Sequence, residues 1–183
     1  MSPTFKQLTN YFREIGADDI AHTQKGYLSH AIGVYNDLKR WGYNEEFARA
    51  GLFHSIYGTE YFQGFTLSLD RRHEIAELVG ERVEWLCYLN CCIAREHFDR
   101  EVLKHKGPYT IRDRFTDGIV ELADQDFDDL CVIHVCDWLE QVHRWINWGY
   151  RREVYRAIAE RLGGVALENY DRVFAKEPVT TSE

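Results

Sequence analysis

The chain is poor in what several protein classes require. Only 3 of its 183 residues are proline and no glycine recurs periodically, which excludes fibrous classes. No apolar run approaches the roughly 18 residues that a membrane span needs, so no membrane partner is expected. The stretch from Met1 to Glu14 lacks the apolar core of a signal peptide, and a cytoplasmic protein is the expectation. Positive charge is in deficit, with 22 Lys and Arg against 30 Asp and Glu for a net charge of −8. That disfavours a general binder of nucleic acid, which needs a basic face to release counterions, but leaves room for a local basic cleft that takes a small anion. Cys-x-x-Cys pairs are absent, and Cys87, Cys91, Cys92, Cys131 and Cys136 sit inside apolar runs, where they read as reduced, buried small hydrophobes.

What is present suits a globular core: 45% apolar, 14% aromatic and 28% charged residues. One domain over residues 4–176 is expected, followed by a polar tail over 177–183. Apolar residues recur at helical spacing through most of it, as in Phe5, Leu8, Phe12 and Ile15, then Leu28, Ile32, Tyr35, Leu38 and Trp41. Helices are predicted over 4–15, ending at Gly16, and 25–41, ending at Gly42. A third opens at Asn44 and carries the run from Gly51 to Ser55. After an irregular stretch, Asp70 caps a short helix that ends at Gly80, followed by helices over 81–95 and 96–104. The longest runs from Asp124 or Asp126 to about Trp148, and two more cover 151–162 and 165–175. Lys106-Gly107-Pro108 breaks the pattern, and alternation on either side of Thr116-Asp117-Gly118 predicts a small β-hairpin near residues 109–122. The fold class is therefore all-α with one hairpin.

Ionisable residues in apolar surroundings single out a site, because a buried charge or imidazole needs a partner. His30 lies between Leu28 and Ile32, His54 follows Leu52-Phe53, and Asp137 lies between Val135-Cys136 and Trp138-Leu139. Each alone reads more simply as a hydrogen-bonded core residue. Together, on three helices, two imidazoles and a carboxylate suit a divalent metal. His134 shares a helix face with Asp137 and is a candidate fourth ligand or orienting group. Trp145 and Trp148 offer a contact patch for a homodimer if exposed.

The ordered set Leu28-Ser29-His30-Ala31, Ala50-Gly51-Leu52-Phe53-His54 and Asp137-Trp138-Leu139-Glu140 resembles the HD superfamily of metal-dependent phosphohydrolases. The resemblance covers residues 20 to 142 and implies an HD-like helical bundle in which His30, His54 and Asp137 hold one divalent ion, manganese, zinc or iron. The Asp of that superfamily's His-Asp pair is Ser55 here, and a hydroxyl is a far weaker metal ligand than a carboxylate. Ser55, Tyr57 and Glu60 are the candidates to orient an attacking water, with Glu60 the nearest candidate base. Arg72 and His22 are the candidates to receive an anionic small-molecule substrate. Three functions follow as alternatives: hydrolysis of a phosphorylated or nucleotide-like metabolite, oxygenation at a mononuclear non-haem iron on the same ligands, or a degenerate HD-like module that binds without catalysis.

Overall fold

A computed structural model describes residues 3–17, 20–22, 25–104 and 106–179, with the side chains of residues 21 and 22 outside the description. Nine α-helices and two small antiparallel sheets occur among the described residues. None of these helices is long and apolar enough to cross a membrane.

Helix α1 (Phe5–Glu14) starts at a capping box, in which the Thr4 hydroxyl accepts from Gln7 N–H and the Gln7 side chain accepts from Thr4 N–H. Its buried Phe12 packs on Phe53 and Tyr27. A two-residue ribbon of β1 (Ala21–His22) and β2 (Lys25–Gly26) follows, so that α2 (Tyr27–Arg40) begins two residues later than its periodicity predicts. Helix α3 (Glu45–Phe53) is capped as expected, by Asn44 accepting from Phe47 N–H at 2.8 Å, with Glu45 and Glu46 in the first turn. It ends one residue before His54, which leaves His54 and Ser55 on the turn that follows rather than inside the helix.

Asp70 does not cap a helix. It lies in a 3-10 turn whose cap is Ser68, and α4 (Arg72–Val79) starts after it. Helices α5 (Glu81–Cys92) and α6 (Arg95–Val102) lead to the hairpin of β3 (Tyr109–Asp113) and β4 (Gly118–Leu122), in which Tyr109 pairs with Leu122 and Asp113 with Gly118. Helix α7 (Asp124–Gln141) is the hub, packing on α2, α3, α5, α8 (Arg152–Leu162) and α9 (Gly164–Phe174). Its sequence explains this position: from Leu130 to Cys136 every residue is buried, and a helix apolar all round must be surrounded. It stops at Gln141, short of Trp148, because a 3-10 turn over 142–144 turns the chain back. Trp145 and Tyr150 then fold over Trp138, with ring centroids 5.9 and 5.4 Å from it. All five cysteines are buried and free.

Helix α2 carries His30 and the turn after α3 carries His54, and Gly51 sets how closely the two helices approach. A Cβ at Gly51 would stand 2.4 Å from Leu38 Cδ1 and 3.1 Å from Val34 Cγ1, both fully buried side chains of α2. Gly51→Ala is therefore expected to destabilise the fold by about 1–3 kcal/mol through overpacking. Urea denaturation measures the loss, and an unchanged midpoint would show that α2 yields without strain.

Candidate metal centre

Three of the expected residues meet. His30 Nε2 lies 2.8 Å from Asp137 Oδ1, and His54 Nε2 lies 3.5 Å from the same oxygen. The ligand atoms of the three residues all fall within 4.8 Å of one another, so the group can hold a metal ion. His30 and His54 are almost wholly buried, and their rings pack edge to face with centroids 5.3 Å apart.

The far nitrogen of each ring decides what the near one can do. His30 Nδ1 is 2.5 Å from Glu140 Oε2, and His54 Nδ1 is 2.7 Å from the Gly51 carbonyl oxygen. Both partners are acceptors, so each Nδ1 carries the proton, and in the neutral ring Nε2 carries a lone pair. Two lone pairs then face one carboxylate oxygen. Such a group repels itself unless positive charge lies among its members, as ring protons or as a cation. Metal–nitrogen and metal–oxygen bonds of about 2.1 Å set ligand atoms about 3.0 Å apart at right angles and about 3.4 Å apart at the tetrahedral angle. The two N···O distances of 2.8 and 3.5 Å match those separations closely. The donor set therefore fits a divalent ion.

Without an ion, a second proton on the His30 ring supplies that positive charge. Burial opposes ionisation of the Asp137 carboxyl, but His54 and His30 outweigh burial and keep it well below the usual carboxylate range. Burial opposes protonation of His30, yet its hydrogen bonds to Asp137 and Glu140 push it up to about 9. Glu140, against its own burial, is drawn down to about 2 by His30, Arg144 and Lys25, and accepts from Lys25 Nζ at 2.8 Å. A carboxylate that fixes the tautomer and aim of a ligating histidine is the usual outer partner of such a site. Gly33 makes room for it, since a Cβ there would lie 2.4 Å from Glu140 Oε1. Gln141 Nε2 donates to Asp137 Oδ1 at 2.9 Å.

His54, Ser55 and Asp137 border a pocket of about 430 Å³ whose other walls include Tyr61, Phe62, Arg95, Trp138, Trp145, Tyr150 and Tyr155. Ser55 is buried, with its hydroxyl 3.4 Å from the Tyr27 hydroxyl. Residues 11–95 match the model of a family described as a domain of unknown function (DUF6817). The match spans His30, His54 and Ser55 and stops before Asp137 and Glu140. No curated protein and no solved structure matches the chain significantly.

Other expected residues lie elsewhere. Tyr57 is buried and donates its hydroxyl to Glu84 Oε1 at 2.9 Å, away from the pocket. Arg72 forms a two-pronged pair with the same carboxylate at 2.6 and 2.8 Å and lies over the Tyr88 ring. Their places next to His54 and on a cationic run gave them apparent roles, but Glu84 of α5 claims both. Glu60 is exposed and accepts from Arg95 N–H at 3.0 Å, at the first turn of α6. His22 has its backbone in β1, and its side chain lies outside the described residues. His134 is not aimed at the triad: its Nε2 accepts from Arg151 Nη1 at 2.8 Å, while its Nδ1 faces Asn90 Oδ1 at 3.5 Å. Burial and the neighbouring Arg151 and Arg95 hold it neutral.

The partners that sequence reasoning did not assign are Glu140, Lys25, Gln141 and Arg95. A signal existed only for Glu140 and Gln141, which fall three and four residues after Asp137 and so share its helix face. Arg72→Leu is expected to leave Glu84 buried without its cation and to destabilise the protein by about 3 kcal/mol, discounted somewhat because the Arg72 side chain is one-third exposed. Metal binding by the folded variant should be unchanged, and isothermal titration reads both facts if paired with a melt. A weakened metal site with an unchanged melt would return Arg72 to the centre.

Proposed function

We propose that the protein is a metal-dependent hydrolase of small phosphorylated metabolites, built as a divergent HD-like bundle around one divalent ion, manganese, zinc or iron, held by His30, His54 and Asp137. The observation that carries this reading is the convergence of both Nε2 atoms on Asp137 Oδ1 at the wall of a pocket of substrate size. A divalent ion held there supplies a Lewis acid and an acidified water. The chain's residues do the rest. Glu140 and the Gly51 carbonyl oxygen keep both imidazoles in the ligating tautomer. Gln141 steadies the Asp137 oxygen, and Ser55, where an HD protein carries its second acid, offers the pocket a hydroxyl that orients water without taking its proton outright. Aromatic walls limit bulk water around the reacting group.

The test is metal analysis of the purified protein after loading with manganese, zinc or iron, followed by phosphate release from a panel of phosphomonoesters. Manganese- or zinc-dependent release that is lost in His54→Ala supports the reading. Iron with dioxygen uptake and no phosphate release would replace it by the oxygenase. Absence of stoichiometric metal under every loading condition would end both.

A further inference from the structure

The pocket beside the triad holds donors that the protein itself does not use. Arg95 borders it with its guanidinium 4.3 Å over the Tyr61 ring, and its Nη1 donates to the Tyr150 hydroxyl at 2.8 Å. Among the described residues it forms no ion pair, and its Nε is buried without a hydrogen-bond partner. Glu60 is engaged by the main-chain N–H of the same residue. Trp138, only 2% exposed and also lining the pocket, keeps its indole Nε1–H without a partner. Buried donors in native proteins are nearly always satisfied, and two residues that line this pocket each keep one without a partner, so this side of the pocket is short of an acceptor.

The other walls are flat. Tyr61 is 68% exposed and Trp145 43% exposed, although large rings are costly to leave in water. Both contact Tyr150, Tyr61 edge-on at 6.3 Å and Trp145 stacked at 6.4 Å, so three rings frame the opening. Exposed rings grouped around a concavity suit a planar guest. A cation already stacked on a tyrosine suits a guest with negative charge next to its ring.

We propose that this pocket selects ligands in which a planar aromatic ring carries an anionic group, the ring lying among Tyr61, Trp145 and Tyr150 and the anion received by Arg95. As a statement about substrate this rests on the hydrolase reading; as a statement about binding it stands without it. In a chain of net charge −8, the anion is drawn in by Arg95 and not by the field of the whole molecule.

Calorimetric titration of the full chain, with manganese and again with chelator, tests it using 1-naphthyl phosphate, 1-naphthoate, 1-naphthol and glycerol phosphate. 1-Naphthyl phosphate is expected to bind at least about tenfold more tightly than 1-naphthol or glycerol phosphate, and 1-naphthoate shows whether a carboxylate serves as well as a phosphate. Arg95→Met should remove that advantage without weakening manganese binding. Tyr61→Leu, at a position that is mostly exposed, should weaken the aryl ligands and leave glycerol phosphate unaffected. Equal affinities for 1-naphthyl phosphate and glycerol phosphate, or an Arg95→Met protein that binds like wild type, would overturn the proposal. Arg95-dependent aryl binding in a protein that takes up no metal would sink the hydrolase reading alone.

Discussion

Asp137→Asn is expected to weaken divalent-metal binding by at least about 100-fold, more than the tenfold to 100-fold typical of losing an outer partner of a metal site. Its Oδ1 is the one atom that both Nε2 nitrogens face, so the substitution removes the only negative charge among the three ligand groups. Thermal denaturation makes the effect visible without any substrate. At a metal concentration about 100 times the wild-type dissociation constant, binding stabilises the wild type by about 2.7 kcal/mol, whereas a 100-fold weaker variant gains only about 0.4 kcal/mol. A variant that melts with the same metal-induced shift as wild type would remove Asp137 from the site.

Without metal, stability is expected to peak near pH 6.5 and fall on both sides, because two buried histidines shift in opposite directions. His30 is raised from 6.5 to about 9 despite its burial, by Asp137 and Glu140. Its contribution is fully present below pH 6.5 and is lost as pH rises through 9, amounting to about 3 kcal/mol. His134 is depressed by burial and by Arg151, so its contribution is present above pH 6.5 and is lost as pH falls, when the unfolded chain takes up a proton that the folded one refuses. Glu140, drawn down to about 2, adds a further loss only below about pH 4.5. Urea midpoints in chelator across pH 5 to 7.5 measure the profile, below the unfolded thiol value of about 8.5 at which the buried thiols, pushed up by desolvation, begin to take stability away. His30→Gln should flatten the alkaline limb alone. A limb equally steep in that variant would mean that other groups set it.

The helices were legible because their signals are local. Thr4 and Asn44 cap from within three residues, Gly16, Gly42 and Gly80 end segments with positive φ, and α7 shows its central place in an apolar run from Leu130 to Cys136 that only His134 interrupts. The C-terminal end of α7 was not legible, since Trp145 and Tyr150 turn back onto a ring, Trp138, that only the folded chain puts beside them.

The site divides in the same way. From the sequence alone, His30, His54 and Asp137 stand out as ionisable groups in apolar surroundings, and burying such groups demands partners wherever the fold puts them. Which partner each group finds is a matter of distance across helices. Tyr57, close to His54 along the chain, and Arg72, on a cationic run, were claimed by Glu84 of α5, while Glu140 turned to His30 and Arg95 was left without an ion pair among the described residues. Local order along the chain determined the helices and the buried imidazoles and carboxylate. Only the packing of α2, α3, α5 and α7 decided which charges are neutralised inside the protein and which remain for a ligand, because electrostatic pairing depends on separations in space that no local pattern records.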